Sequence, residues 1–214
     1  MAQMSSNDDC LNTMNPQSYS NYKIRQMLDA IEADIDRYVL MDDYPWWLIF
    51  LTKQGLWLST QYRFSRWVDQ SVHLPVIRQI LKIFCALWQK LIEILTNSEL
   101  PNKAEIGEGI FIPHAFGIIM HCDVKIGKNC NIGQDVTIGI GGRGEKRGSP
   151  KLGERVFIAP GARIFGNITV GNDVAIGANA VVTKDLPEQA VAVGIPAKVI
   201  SSQGSQDFVH YRKK

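Results

Sequence analysis

The histidine at position 114 is the side chain whose type and position best suit proton transfer near neutral pH. It occupies a column of a six-residue pattern in which the later members are Met120, Ile126 and Ile132. An imidazole turned into such an aliphatic interior would lack partners for its two nitrogens. We therefore expect His114 to point outward or to lie at a subunit junction, where it could act as a general base on a hydroxyl. A surface histidine without a function is the alternative.

The remaining reactive side chains predict neither a nucleophile nor a metal site. His121 falls where the repeat is expected to face solvent, and His73 and His210 lie in a helix connection and near the chain end. A histidine metal site needs three convergent ligands, which this spacing does not offer. No nucleophile elbow, phosphate loop or GxGxxG motif before a strand is present. Cys130 occupies a small-residue position and is expected to fill the core.

One aliphatic residue returns every six positions through the second half of the chain, and neither a helix nor a single strand has this period. The later column consists of Leu152, Ile158, Ile164, Val170, Ile176 and Val182. The earlier column consists of Ile106, Ile112, Ile118, Val124, Cys130 and Val136, with a companion column two residues later. A six-residue repeat is typical of a parallel β-helix, in which three short faces make one coil and stacked coils bury the aliphatic residues.

The repeat is interrupted between Ile138 and Leu152, which are fourteen positions apart rather than a multiple of six. Residues 139–151 contain five glycines and predict a loop that leaves the repeat. Loops on rigid scaffolds commonly carry function, so this loop is a second candidate part of a site.

The first hundred residues predict helices. Apolar residues recur every three or four positions from residue 22 to residue 40, and Pro45 and Pro75 each mark a helix start. The apolar runs 44–51 and 76–95 are too short or too often charged to span a bilayer, which leaves peripheral membrane contact as an alternative. We predict four segments: disorder in 1–22, a helical domain in 23–98, the β-helix in 99–200 and a tail in 201–214.

Charge and cysteine content exclude further classes. The net charge of +2 gives no electrostatic reason to expect nucleic acid as a partner. The four cysteines lack the spacing of a secreted disulfide framework, and the polar first 22 residues carry no secretory signal. These features predict a cytoplasmic protein.

The residues of the repeat region resemble the hexapeptide-repeat acyltransferases, and within them the serine acetyltransferase-like branch. The resemblance covers roughly residues 99–200. It rests on Ile-Pro-His-Ala-Phe-Gly-Ile at 112–118 and on the segments 136–139, 161–168, 176–182 and 192–197. Residues 55–67 are more weakly similar to a helix of that branch.

The resemblance implies a left-handed parallel β-helix that assembles as a homotrimer, or as a pair of trimers, with acetyl-CoA bound between subunits and no metal. His114 takes the place of the family's general base, and Glu99 the place of the carboxylate that orients it. The contacts to CoA are implied at Gly141, Pro160, Ala178 and Lys198. In the implied reaction, His114 removes the proton of an acceptor hydroxyl, whose oxygen then attacks the thioester.

Three positions depart from the family pattern for recognising a zwitterion. Where serine acetyltransferases carry an acidic and two basic side chains, this chain has Pro113, Gly148 and Ser149. Losing several charged contacts weakens binding of a small zwitterion. The expected acceptor is therefore a hydroxyl on a sugar or a polysaccharide precursor. L-serine is the alternative, and a trimeric scaffold without catalysis is the second alternative.

Overall fold

The computed structural model describes residues 23–42, 44–144 and 147–212. The predicted disorder of residues 1–22 lies outside these ranges. Within them, a helical region precedes a three-sided prism built of short parallel strands. This arrangement confirms the predicted fold class, a left-handed parallel β-helix preceded by an α-helical segment.

The described residues form four α-helices: α1 (Ile24–Asp42), α2 (Trp46–Thr52), α3 (Gln54–Ser71) and α4 (Pro75–Thr96). Pro45 precedes α2 and Pro75 opens α4, because the fixed φ of proline suits a first helical turn. Lys53 alone separates α2 from α3, and its φ of −101° and ψ of 101° are extended. The chain therefore changes direction at Lys53. Asn97, with a φ of 50°, ends α4 in the left-handed conformation.

Three parallel sheets, here called walls A, B and C, form the sides of the prism. Wall A contains β2 (Ile119–Met120), β5 (Thr137–Gly139), β8 (Arg163–Phe165) and β11 (Val181–Val182). Wall B contains β1 (Glu105–Ile106), β3 (Lys125–Ile126), β6 (Lys151–Leu152) and β9 (Thr169–Val170). Wall C contains β4 (Asn131–Ile132), β7 (Phe157–Ile158), β10 (Ala175–Ile176), β12 (Val191–Val193) and β13 (Lys198–Ser201), the last antiparallel to β12.

The core of the prism is the aliphatic column that the six-residue period predicts. On wall A, Ile138 pairs in register with Met120 on one side and Ile164 on the other, and all three are buried. Walls B and C stack in the same way, with Ile126 beside Leu152 and Ile132 beside Ile158. Each coil thus adds one aliphatic residue per wall to a continuous apolar interior.

The register of the first coils differs from the predicted columns. Phe111 on wall C pairs with Asn131, and Ile119 on wall A pairs with Thr137. The chain therefore takes eight positions from Phe111 to Ile119 but only six from Asn131 to Thr137. Two extra residues lie in the corner 113–117. Consequently Ile112 belongs to the sequence column of Met120, Ile126 and Ile132. Ile118 belongs to the other buried column, which continues with Val124, Cys130 and Val136.

A buried ion pair attaches the helices to the first coil of the prism. Arg63 of α3 donates to both carboxylate oxygens of Asp34 at 3.1 Å and to the carbonyls of Ile106 and Gly107 at 2.6 Å. Asp34 of α1 also accepts the backbone N–H of Gly109 at 2.9 Å. Both charges are almost fully buried and fully partnered, so they fix the helices on the prism.

The last described residues return along the prism to the helical region. The backbone N–H of Ser205 donates to the carbonyl of Asp173 at 2.9 Å, and the Phe208 ring stacks on Phe157 with centroids 4.6 Å apart. Asn131 donates its side-chain amide to the Phe208 carbonyl at 2.9 Å. The segment predicted as a tail therefore packs on wall C.

The outer face of α4 is apolar and exposed. Nine exposed side chains on one side of the helix form this stripe: Val76, Ile77, Ile80, Ile83, Phe84, Leu87, Leu91, Ile94 and Leu95. Among the described residues, no helix combines the length and apolar content needed to cross a bilayer. Whether this face contacts a membrane surface stays a prediction.

Candidate active site

His114 lies in the lengthened corner between walls C and A. Its carbonyl accepts the N–H of Phe116 at 3.0 Å, and the N–H of Gly117 donates to Thr96 at the end of α4 at 3.1 Å. Asp135, in the next coil, donates its N–H to the Phe116 carbonyl at 2.7 Å. The backbone of the corner is thus bonded on both sides, and the imidazole is exposed.

This position corrects the column to which the sequence assigned His114. The residue does not share a wall column with Met120, because the two extra residues of the corner shift the register before wall A begins. His114 is exposed in the single chain, which agrees with the expectation that it points outward or lies at a subunit junction. The side chain lies where the repeat is broken, not within it.

The junction between α2 and α3 packs directly against this corner. A Cβ atom on Gly55 would lie 2.0 Å from the Ile112 carbonyl oxygen and 2.5 Å from the Tyr38 hydroxyl, so only glycine allows the approach. The Tyr38 hydroxyl donates to the Ile112 carbonyl at 2.9 Å and accepts the Ile112 N–H at 3.2 Å. The chain preceding His114 is therefore held against the helices by two hydrogen bonds and a close backbone contact.

The corner and the junction together border an open cleft of about 680 Å³ beside His114. Its lining consists of Tyr44, Leu48, Thr52, Lys53, Gln54, Pro113, His114, Ala115 and Phe116. Apolar and aromatic walls with a few polar groups are typical of small-molecule sites. Sequence reasoning missed the helical part of this lining. Two residues were available as signals: Lys53, where one helix ends, and Gly55, which permits close packing of the next helix.

Lys53 is the cationic side chain of the helical part of the lining. Its ammonium lies 2.9 Å from a carboxylate oxygen of Asp42, at the end of α1. Both side chains are partly buried, with 28% and 26% of their surface exposed. The helical part of the cleft lining therefore includes a lysine whose ammonium is paired with a carboxylate.

Glu99, the expected orienting carboxylate, lies fifteen positions before His114 in the chain, and its side chain contacts α4. Its backbone bridges to Ile119 at the start of wall A, and its side chain accepts a 3.4 Å hydrogen bond from Gln89. Burial raises the pKa of the Glu99 carboxyl, as does the neighbouring Glu93 carboxylate, against the opposing effects of Lys90 and Gln89. Within the single described chain, no hydrogen bond or ion pair joins Glu99 to His114.

Two of the positions expected to contact CoA share an edge of the prism with His114. Counted from wall C, His114 enters the corner that holds Gln134, Pro160 and Ala178 in the following coils. The corner hydrogen bonds give the place of Gln134 to Phe116, because Asp135 donates to Phe116 as Gly161 donates to Gln134. Pro160 and Ala178 are exposed, and the Pro160 carbonyl accepts the N–H of Asn179 at 3.0 Å. Since neighbouring strands lie about 4.8 Å apart, Pro160 is roughly 10 Å and Ala178 roughly 14 Å from the corner along this edge.

The other two expected CoA contacts lie elsewhere on the prism. Gly141 follows β5, across wall A from the His114 edge, and its N–H and carbonyl bond reciprocally with Gly148 at 3.1 Å. This pair closes the base of the predicted loop. Lys198 is exposed on β13, at the carboxyl-terminal end of wall C. Single-chain geometry thus groups Pro160 and Ala178 with His114, and separates Gly141 and Lys198 from it.

His121 is more enclosed than the sequence predicts. Its Nδ1 lies 3.2 Å from the Ser149 hydroxyl and accepts the Asp123 N–H at 3.2 Å, and only 19% of its side chain is exposed. It is not part of the His114 cleft. Its contacts tie the base of the loop 139–151 to the end of β2.

The chemistry available in the cleft is that of a base. The exposed imidazole can accept a proton, while the cleft lining contains neither a serine nor a cysteine within the described ranges. Cys130 lies in the core, and burial raises the pKa of its thiol to about 12, so it stays protonated. This set of groups suits direct attack by an activated hydroxyl better than a covalent enzyme intermediate.

A family model and the curated relatives point to the same protein family. Residues 149–184 match the model described as bacterial transferase hexapeptide (six repeats). The chain is 35% identical over 156 residues to a serine acetyltransferase of Synechococcus elongatus, covering 73% of this chain and 61% of that protein. It is 37% identical over 155 residues to a serine acetyltransferase of Helicobacter pylori J99, covering 72% of this chain and 86% of that protein.

A solved structure gives the same result. A serine acetyltransferase in complex with CoA superposes with a TM-score of 0.68 at 30% sequence identity, covering 84% of this chain and 72% of that chain. The likeness therefore extends beyond the repeats into the helical region. This chain spans less than two thirds of the Synechococcus protein's length.

Proposed function

The chain belongs to the serine acetyltransferase family of hexapeptide-repeat acyltransferases, and from this membership we propose that it transfers an acetyl group from acetyl-CoA to an acceptor hydroxyl. The observation that carries the proposal is the exposed side chain of His114 at the lengthened corner, in the lining of an open cleft that the helices border on one side. The relative solved with CoA supports the choice of donor.

In the proposed reaction, the neutral imidazole of His114 accepts the proton of the acceptor hydroxyl. The oxygen attacks the thioester carbonyl and forms the new ester bond through a tetrahedral intermediate, whose oxyanion is stabilised by N–H donors of the coils. The C–S bond then breaks, and the imidazolium gives its proton to the leaving CoA thiolate. Glu99 is proposed to orient the imidazole, and Gly141, Pro160, Ala178 and Lys198 are proposed to contact CoA.

The first candidate acceptor is the hydroxyl of L-serine, which the names of the relatives favour over the sugar expected from the sequence. A sugar hydroxyl is the second candidate. One observation favours it: Pro113, Gly148 and Ser149 are uncharged, so they cannot bind a zwitterion as the family pattern does. The two candidates share the donor and the base and differ only in the acceptor.

We propose that the chain works as a homotrimer, with the cleft completed by a neighbouring subunit. The apolar stripe on α4 supports assembly, because monomeric proteins rarely expose an apolar surface of this extent. Its nine side chains provide a further surface through which trimers could pair.

The test is release of the CoA thiol from acetyl-CoA, measured with L-serine and with neutral sugars as acceptors. We expect His114→Ala to lower kcat by at least about a hundredfold, because a positioned general base contributes at least that much. His73→Ala, an exposed histidine before α4, is the control and should leave the rate unchanged. A non-catalytic scaffold would release no CoA with any acceptor, and a rate unaffected by His114→Ala would exclude His114 as the base.

A further inference from the structure

We propose that Lys53 binds a carboxylate of the acceptor, so that the acceptor is a hydroxyl compound carrying an acidic group. This inference rests on the proposed transferase function and adds a specificity-determining residue to it. Lys53 lies in the helical region, at a position that neither the repeat pattern nor the resemblance singles out. It lines the cleft that contains His114.

The position of Lys53 is fixed from both sides. It is the single extended residue between α2 and α3, and its N–H donates to the Ile49 carbonyl at 2.9 Å. Two residues later, Gly55 touches the Ile112 carbonyl so closely that no side chain fits there. Because Ile112 is two residues before His114, this contact carries Lys53 and the base into one cleft.

The ammonium of Lys53 is suited to an anionic group. It has three N–H donors, of which the Asp42 carboxylate at 2.9 Å accepts one. Asp42 is a positioning residue here: it lies outside the cleft lining, and its bond to one donor leaves two donors of Lys53 for a ligand. A charge-assisted hydrogen bond in a partly buried site is stronger than one between neutral groups.

Among the described residues that line the cleft, Lys53 is the one with a cationic side chain suited to the acceptor's charge. Pro113 beside the base, and Gly148 and Ser149 at the base of the loop, carry no charge. Lys53 provides the missing cation from a different element. The carboxylate could belong to L-serine or to an acidic sugar such as a uronate, and these two sources share the same recognition chemistry.

The test compares acceptors that differ only in the carboxylate. With the whole chain, kcat/KM is measured for L-serine and L-serinamide, and for D-glucuronate and D-glucuronamide, in wild type and in Lys53→Met. We expect Lys53→Met to lower kcat/KM for the acidic acceptor by about tenfold to a hundredfold, mainly through KM. The kcat/KM for the uncharged analogue and the KM for acetyl-CoA should each change by less than about twofold.

Two further variants make the comparison specific. Lys53→Arg keeps the charge and should retain most of the discrimination between the acidic and the uncharged acceptor. Lys125→Met removes a lysine that is also paired with a carboxylate, Glu105 at 2.8 Å, but on wall B, and should change none of these values. Circular dichroism is used to check that each variant is folded.

The outcomes separate this inference from the proposed function. If the wild type releases no CoA, calorimetric titration of L-serine and D-glucuronate into the CoA-loaded protein still measures binding. Binding weakened by Lys53→Met would then support Lys53 while the transferase proposal fails. An unchanged ratio between acidic and uncharged acceptors in Lys53→Met, or unchanged binding where there is no turnover, would overturn the role of Lys53.

Discussion

Glu99 shows how one carboxyl group can affect both stability and activity. Its pKa lies above the ordinary value of 4.5, first because the group is half-buried and next because Glu93 is near. A raised pKa in the folded protein means that the protonated form favours folding. This contribution is complete below the ordinary pKa of a glutamate and is lost as the pH rises through the raised value.

Replacing this carboxyl by an amide should therefore change stability in a pH-dependent way. We expect the free energy of unfolding of Glu99→Gln, relative to wild type, to increase as the pH rises from 4 to 7, because the variant loses the cost of ionising a half-buried group. Urea unfolding at both pH values measures this difference. A constant difference across the range would contradict the raised pKa.

The same variant tests whether Glu99 orients His114. If it does so in the assembled protein, Glu99→Gln should lower kcat about tenfold or more while KM for acetyl-CoA stays the same. Glu93→Gln changes a carboxylate beside Glu99 and is the matched control, with kcat expected within about twofold of wild type. A Glu99→Gln enzyme of normal kcat would leave Glu99 with a structural role only.

At the scale of elements, α1 and α3 are held on the prism by the pair of Asp34 and Arg63. We expect Asp34→Ala to lower the free energy of unfolding by about 3–5 kcal/mol, because it leaves the Arg63 guanidinium buried without its carboxylate. Guanidinium-induced unfolding measures the loss. Asp36→Ala is the control on the same helix: Asp36 is partly exposed and 4.0 Å from Arg212, so its removal should cost about 0.5 kcal/mol or less.

The elements also show which part of the site the sequence could reveal. His114 was found because its residue type is unusual in an aliphatic repeat. Lys53 was not found, because its approach to His114 depends on the contact of Gly55 with Ile112, 57 positions away in the chain. Helix periodicity predicts which face of a helix is buried, but it does not specify the corner of the prism against which that face packs.

On the scale of the whole molecule, the prism was predictable and its register was not. The six-residue period requires stacked coils, and the observed walls have this arrangement. The two extra residues at 113–117 stayed hidden because Ile112 and Ile118 are still six positions apart. Both are fully buried, since the coil has a second inward column that Ile118 occupies after the shift. An aliphatic residue therefore appears at the expected spacing on both sides of the insertion.

The insertion itself can be tested by deleting Ala115 and Phe116. The shortened corner would match the next one, because Gly117 with a φ of 68° would take the place of Asp135 with a φ of 57°. Phe116 is 62% exposed and the buried Ala115 contributes a single methyl group, so the deletion removes little apolar packing. We expect the variant to fold and unfold cooperatively, with a Tm within a few degrees of wild type.

Activity should respond differently, because the extra residues place His114 outside the regular corner and beside the helical cleft. We expect the deletion to lower acetyl transfer at least about a hundredfold, as His114→Ala does, since the base would no longer reach the acceptor. CoA release and thermal unfolding are measured on the same preparation. A variant that folds and keeps its rate would show that the insertion does not position the base. One that fails to fold would show instead that the prism needs the longer corner.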